Sequence, residues 1–209
     1  MSTARQHWDA VYQDKSERQT SWFRAHLDTS LRLIEELRLP ASAPLIDIGG
    51  GRATLVDDLL ARDYRDVTVL DLAEPALAAS RTRLGTDAAR ANWLVADVLE
   101  ADLPAAHYAL WHDRAVFHFL VDPAARMRYV AQAARAVRAG GYAIIATFAP
   151  DGPERCSGLL AQRYDADALA AAFAPAFTRV SAVREQHHTP WNSVQPFTYV
   201  VLQRSETSL

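Results

Sequence analysis

The sequence predicts an α/β fold: a mostly parallel, seven-stranded sheet with an antiparallel C-terminal strand pair and helices on both faces. Three observations predict it. From Ala43 onward, short β-branched runs alternate with longer helical stretches, the order of an open sheet covered by helices. A glycine-rich turn, Gly49-Gly50-Gly51, follows the first of those runs, where a strand must bend sharply into a helix. Two strand-like runs then close the chain with no helical pattern between them, which makes them an antiparallel pair.

Taken in order, the expected strands are Leu45 to Ile48, Val67 to Leu70, Trp93 to Ala96, Tyr108 to His112, Tyr142 to Phe148, Phe177 to Gln186 and Phe197 to Gln203. Helical windows fall at about Ala53–Arg62, Glu74–Leu84, Ala115–Leu120 with Ala124–Arg138, and Asp165–Phe173. Gly140-Gly141 reads as a helix stop leading into a buried strand. The residues before Pro40 look like a cap. Trp8, Tyr12, Trp22 and Phe23 are large aromatics there, and Asp28 to Leu39 has helical spacing. No internal repeat or low-complexity linker divides the chain, so the expectation is one domain, 1–209, made of a cap or lid segment (1–40) and a core (41–209).

With 209 residues the chain is long enough to bury a substantial core. A net charge of -3 and a charged fraction of 22% give no dominant field of either sign, so nothing points to a nucleic-acid or membrane partner. Cys156 is the only cysteine, which rules out an intramolecular disulfide and fits a reducing cytoplasm. Met1 to Lys15 lacks the charged start and apolar run of a secretory signal, and no apolar stretch approaches a membrane span. Lys15 is the only lysine; the other basic residues are arginines in an alanine-rich background, a pattern of base composition rather than function.

The chemistry concentrates at the ends of the first three strands. In Asp47-Ile48-Gly49-Gly50-Gly51 the small residues let a ligand approach the backbone, although a tight turn alone also needs glycine. Asp71 ends the second strand and is placed to accept hydrogen bonds from two ribose hydroxyls, with Leu72 beside it. Asp97 ends the third; there a carboxylate can receive an exocyclic amino group while the Val98 backbone N–H meets an adenine ring. Each acid taken singly can equally be a helix cap or a solvated loop residue. NAD is the competing ligand. Its fingerprint G-x-G-x-x-G, aligned on Gly49 and Gly51, requires glycine where Thr54 stands, and it has no use for Asp47, which can reach a cationic amino group. A methionyl moiety carries such a group and a pyrophosphate does not.

The stretch from Leu45 to about Phe148 resembles the class I S-adenosylmethionine-dependent methyltransferases. The family's loop D-x-G-x-G-x-G corresponds to Asp47, Gly49 and Gly51, its ribose acid to Asp71, and its adenine acid to Asp97 with Val98; Ala53 replaces the last glycine. The resemblance implies a Rossmann-like fold, S-adenosyl-L-methionine as cofactor, methyl transfer as the reaction, and no metal.

On the acceptor side, the fourth strand leads into Trp111-His112-Asp113-Arg114-Ala115-Val116-Phe117-His118. Asp113, Arg114 and His118 are the candidates to orient or deprotonate an acceptor, with His112 a further candidate base. Asp113 is also a candidate helix cap, and His118 a candidate core residue. Asp-Arg-Ala at this place is similar to the thiopurine methyltransferase group, which implies an arginine near a small, soft acceptor such as a thiol. A thiolate acceptor would be favoured by Arg114; a phenol or amine would need a base. Three segments are expected to frame the acceptor: the aromatic cap with Trp22, the loop Asp151–Gln162 with Arg155 and Cys156, and the connection His187–Pro196 with His188 and Trp191. His187 and His188 do not make a metal site, because neighbours on a strand point to opposite faces and no third ligand stands at suitable spacing.

The leading expectation is an enzyme acting on a small molecule. A protein methyltransferase is the alternative, since Trp8-Asp9-Ala10-Val11-Tyr12 is similar to a segment of some lysine methyltransferases. An NAD-dependent reductase and a nucleoside-binding module without catalysis complete the set.

Overall fold

A computed structural model describes residues 3–14 and 19–206; Lys15 lies outside them. Two helices precede the sheet: α1 (Thr3–Asp14) and α2 (Asp28–Glu36), which buries Leu31, Leu33 and Ile34. Next come β1 (Leu45–Ile48), α3 (Leu55–Ala61), β2 (Val67–Asp71), α4 (Glu74–Leu84) and β3 (Ala91–Val95). The second half holds β4 (Tyr108–Arg114), α5 (Pro123–Ala136), β5 (Val137–Phe148), the short hairpin β6 (Arg155–Cys156) and β7 (Leu159–Leu160), α6 (Ala166–Phe173), β8 (Phe177–His188) and β9 (Val194–Arg204).

The main sheet runs β3-β2-β1-β4-β5-β9-β8, parallel from β3 to β5 and antiparallel at the last two strands. β1 and β2 are buried on both faces, which is why they read as unbroken apolar runs rather than alternating ones. The outermost strands are the exception: β8 is mostly exposed and carries Arg179, Arg184 and Glu185, charges that discourage edge pairing. Local capping explains two helix starts. Asp122 accepts the Ala125 N–H at 2.9 Å just before Pro123 opens α5, and Asp165 accepts the Ala168 N–H at 2.7 Å ahead of α6.

Successive residues of the central strands send side chains to opposite faces, so the sheet separates two cores. Ile144, Tyr199 and Val201 face α2 and α3 with Leu31, Ile34 and Leu59. Ile145, Val200 and Trp111 face α5 and α6 with Tyr129, Leu169 and Phe173. Each fully buried side chain of that size contributes about 1.5–3 kcal/mol of apolar transfer.

Of the boundaries that differ from the sequence reading, three have a plain local cause. Gly140-Gly141 does not stop a helix: α5 already ends at Ala136 and β5 begins at Val137. Gly140, at φ +70, lies within β5 where the register slips between Tyr108↔Val137 and Leu110↔Tyr142, so the glycines serve a bulge. The helix after β1 starts at Leu55 rather than Ala53, because the glycine turn runs on through an Ala53 N–H bond to the Gly50 carbonyl at 2.7 Å. After β4, Ala115 takes φ +76 and only one 3₁₀ turn, Phe117–Phe119, forms.

Candidate functional site

The parallel strands all end on one side of the sheet, and a cavity of about 300 Å³ opens there. Its floor includes Gly49, Asp71, Leu72, Asp97 and Val98. A smaller recess beside it is lined by Asp47, Gly50, Arg52 and His112, and the two share Tyr12, Trp22, Ile48, Gly49 and Arg114.

The glycine turn is small by necessity. At Gly49 (φ +66) an added Cβ would come 2.1 Å from Val116 Cγ2. At Gly50 it would meet Asp47 Oδ2 at 2.6 Å. At Gly51 (φ +42) it would meet the Tyr12 hydroxyl at 2.8 Å and Asp71 Oδ2 at 2.9 Å. Gly49 and Gly50 line the recess, whereas Gly51 lines neither cavity and is covered by Tyr12 and Asp71.

Asp71 is buried, and the Ala73 N–H donates to its Oδ1 at 2.8 Å. Burial pushes its carboxyl up to about 7, and the charge of Asp47 adds to the shift, against the pull of backbone N–H groups at Ala73, Leu72 and Gly51. A buried carboxylate in that state is stabilised by any further donor, which two vicinal hydroxyls supply. Asp97 is half-buried; its Oδ1 accepts the Leu99 N–H at 2.9 Å, which turns the chain so that Val98 and Leu99 line the cavity. Asp47 is 5% exposed and its Oδ1 lies 2.7 Å from His112 Nδ1.

Aromatic rings roof the cavity. Trp8 of α1 packs on Phe119 at 5.1 Å and on Trp22 at 6.0 Å, and Tyr12 meets Trp22 at 6.4 Å. Arg52 donates to the Tyr12 carbonyl and lies over the Tyr12 ring, tying α1 to the glycine turn. Phe148 and Phe197, register partners on β5 and β9, form the far wall with Cys156 and Leu159 of the β6–β7 hairpin.

Arg114 lines both recesses. Its Nε donates to the Tyr199 hydroxyl at 3.0 Å, its Nη1 to the Trp22 carbonyl at 3.3 Å, and its guanidinium stacks over Phe197 at 4.5 Å. Glu185 balances its charge from 3.7 Å. Between them a gap remains: Arg114 Nη2 and His187 Nδ1 are buried without a hydrogen-bond partner among the described residues, and Glu185 Oε1 stands 3.7 Å from one and 4.0 Å from the other. His187 donates from Nε2 to the Ser21 carbonyl at 2.6 Å, and burial, aided by the Arg114 charge, lowers it to about 4.

The remaining candidates lie elsewhere. Asp113 does not line the cavity. Its carboxylate accepts the N–H groups of Val116 at 2.8 Å and Phe117 at 3.0 Å and the Tyr129 hydroxyl, the capping arrangement rather than an acceptor contact. Burial raises it to about 6. His118 is fully buried between Phe119 and Phe148, outside the cavity lining, and burial lowers it to about 3, which keeps it neutral. Arg155 is exposed and donates to the Gly158 carbonyl at 2.9 Å; the next residue, Cys156, is the one turned inward. His188 is exposed and lines a surface groove with Phe23, Arg24 and His26, and Trp191 is 58% exposed in the β8–β9 turn. Neither lines the cavity. Sequence reasoning missed Phe119, Phe148 and Phe197 as its walls. The signal for the last two is their facing positions at one end of the antiparallel pair.

Residues 45–141 match the family model described as a methyltransferase domain. No curated protein matches the sequence. Among solved structures, one described by the conversion of a disulfide bond into a thioacetal group during echinomycin biosynthesis shares 21% identity at a TM-score of 0.79, covering 98% of this chain and 94% of that one. The Burkholderia thailandensis 1,6-didemethyltoxoflavin-N1-methyltransferase, with bound 1,6-didemethyltoxoflavin and S-adenosylhomocysteine, shares 23% at 0.74, covering 97% and 87%. A SAM-dependent methyltransferase from Anabaena variabilis shares 15% at 0.72, covering 98% and 96%.

Proposed function

We propose that the chain is a class I S-adenosylmethionine-dependent methyltransferase whose acceptor is a small-molecule nucleophile, a thiol or another soft group, held under the aromatic roof. One observation carries this: Asp71 and Asp97, the carboxylates assigned to the ribose and the adenine, and the rings of Trp8, Trp22, Phe119, Phe148 and Phe197 line the same cavity. The residues fit the cofactor. Asp71, buried with its carboxyl raised to about 7, would take the ribose hydroxyls; Asp97 and the Val98 N–H would take the adenine; Asp47 would take the methionyl amino group over the glycine turn.

When bound, S-adenosylmethionine supplies a methyl group on a sulfonium, open to in-line displacement. The chain contributes position, dryness and charge. Gly49 and Gly50 open their backbone to the donor recess, and the roof shields the acceptor from water. Arg114 favours the anionic form of an acceptor, the thiolate being the reactive form of a thiol. Asp113 and His118 hold the loop after β4 rather than touching the acceptor.

Two relatives support the reading: the Burkholderia enzyme carries a small heterocycle beside the spent cofactor, and the conversion of a disulfide into a thioacetal is sulfur chemistry. A polypeptide acceptor needs an open approach, which the packing of Trp8 on Phe119 and Trp22 opposes. A labelled-methyl assay across thiol, phenol, amine, carboxylate and protein acceptors tests it. Transfer to thiols above the others is the expected outcome; transfer to protein alone would reverse it.

A further inference from the structure

Asp47 and His112 are register partners on the neighbouring parallel strands β1 and β4, so their side chains leave the sheet on the same face. They meet at 2.7 Å between Asp47 Oδ1 and His112 Nδ1. On the other side of the ring, His112 Nε2 lies 2.9 Å from the hydroxyl of Ser30, which α2 carries down onto the sheet. Asp47, His112 and Ser30 are 5%, 2% and 0% exposed.

An ionised carboxylate only accepts, so His112 Nδ1 carries a proton and donates it to Asp47. Ser30 Oγ partners the other ring nitrogen, Nε2, at 2.9 Å, so both ring nitrogens are held. The consequence falls on the second carboxylate oxygen. A terminal carboxylate torsion is broad and soft, but with Oδ1 held by His112 the group has one orientation. Oδ2 then faces the glycine turn, as its 2.6 Å approach to a Cβ on Gly50 records.

We infer that His112, locked by Ser30, is a positioning residue that aims Asp47 Oδ2 into the recess where the amino group of the methionyl moiety binds. His112 borders that recess with its ring held between Asp47 and Ser30, and its part is to fix the carboxylate. The candidate base of the fourth strand is therefore a donor-side orienting group, and α2, outside the matched domain, supplies part of the donor site. The inference rests on the assignment of Asp47 to the amino group.

The test compares two ligands by calorimetry: S-adenosylhomocysteine, and 5′-methylthioadenosine, which lacks the amino-acid portion. The wild-type chain binds the first more tightly. His112→Leu lowers affinity for S-adenosylhomocysteine by about tenfold or more, the loss of a hydrogen bond to a charged group, and leaves 5′-methylthioadenosine within about twofold. Ser30→Ala shifts the same ratio in the same direction by about threefold, a neutral hydrogen bond's worth. His112→Asn, which keeps an N–H near the Nδ1 position, recovers most of the ratio. An unchanged ratio in His112→Leu, or an equal loss for both ligands, overturns the inference while leaving the cofactor assignment standing. Should His112→Leu fail to fold, an unchanged ratio in Ser30→Ala overturns it. Equal wild-type affinity for the two ligands removes the role of Asp47, and the inference with it.

Discussion

Gly51 and Asp71 are in such close contact that a single methyl group on the glycine would stand 2.9 Å from the carboxylate oxygen. The same methyl would meet the Tyr12 hydroxyl at 2.8 Å. Gly51→Ala therefore forces apart the carboxylate, the turn and the helix that roofs it. The expected result is a loss of about 1–3 kcal/mol in stability from overpacking and the φ of +42, with at least a tenfold weaker S-adenosylhomocysteine affinity. Denaturant unfolding and calorimetry measure the two effects separately.

Asp71 sets a pH dependence whose sign can be worked out. Its carboxyl is raised to about 7, mainly by burial, from an ordinary value near 3.9. Between those values the folded state holds a proton that the unfolded state has released. The group's contribution to stability is thus fully present below about pH 4 and is lost as pH rises through about 7. Cofactor affinity runs the other way, because the ribose hydroxyls bond best to the ionised form; it falls as pH drops below about 7. Asp71→Asn should flatten both profiles, and Asp71→Ala should cost about 1.5–3 kcal/mol of binding. Titration with S-adenosylhomocysteine across this range, alongside melting curves, checks both trends.

Arg114 should separate turnover from donor binding. Arg114→Met removes the charge proposed to favour an anionic acceptor while keeping an unbranched side chain against Phe197. Turnover should fall about 10²-fold with cofactor affinity changed less than threefold. A retained rate would remove Arg114 from the acceptor side.

Asp113→Ala should injure the fold instead of the chemistry. The change strips partners from the N–H groups of Val116 and Phe117 and from the Tyr129 hydroxyl, all beside or within the second core. The expected cost is about 3 kcal/mol in unfolding free energy, with S-adenosylhomocysteine affinity preserved in the folded fraction. A variant of wild-type stability that no longer turns over would return Asp113 to catalysis.

Trp8→Ala should open the roof. Trp8 bridges Phe119 and Trp22 from α1, and its ring is part of the cavity wall. Steady-state kinetics should show the acceptor KM rising about fivefold or more, with the KM for the donor little changed.

The residues proposed for the donor could be singled out because their signals are local. Gly49 to Gly51, Asp71 and Asp97 each lie next to a strand end that hydrophobic runs reveal, and parallel strands bring those ends together. The acceptor half depends on parity and on long-range pairing. Arg155 and Cys156 are neighbours on a two-residue strand, one outside and one inside, and a loop reading cannot assign the sides. His187 and His188 repeat the pattern at the end of β8. The Ser30–His112–Asp47 row joins residues from α2, β4 and β1, which no local motif encodes. Gly140 misled for a related reason: a glycine at positive φ serves a helix end and a strand bulge equally well, and only the register distinguishes them.

The central claim is a methyl transfer to a small molecule beneath the aromatic roof. Its most direct test is to incubate the protein with methyl-labelled S-adenosylmethionine and a cell extract, then divide the products by size filtration. The label should appear in the low-molecular-weight fraction, in products that survive as thioethers or comparable methyl adducts. Label confined to protein, with none in the small-molecule fraction, would contradict the account.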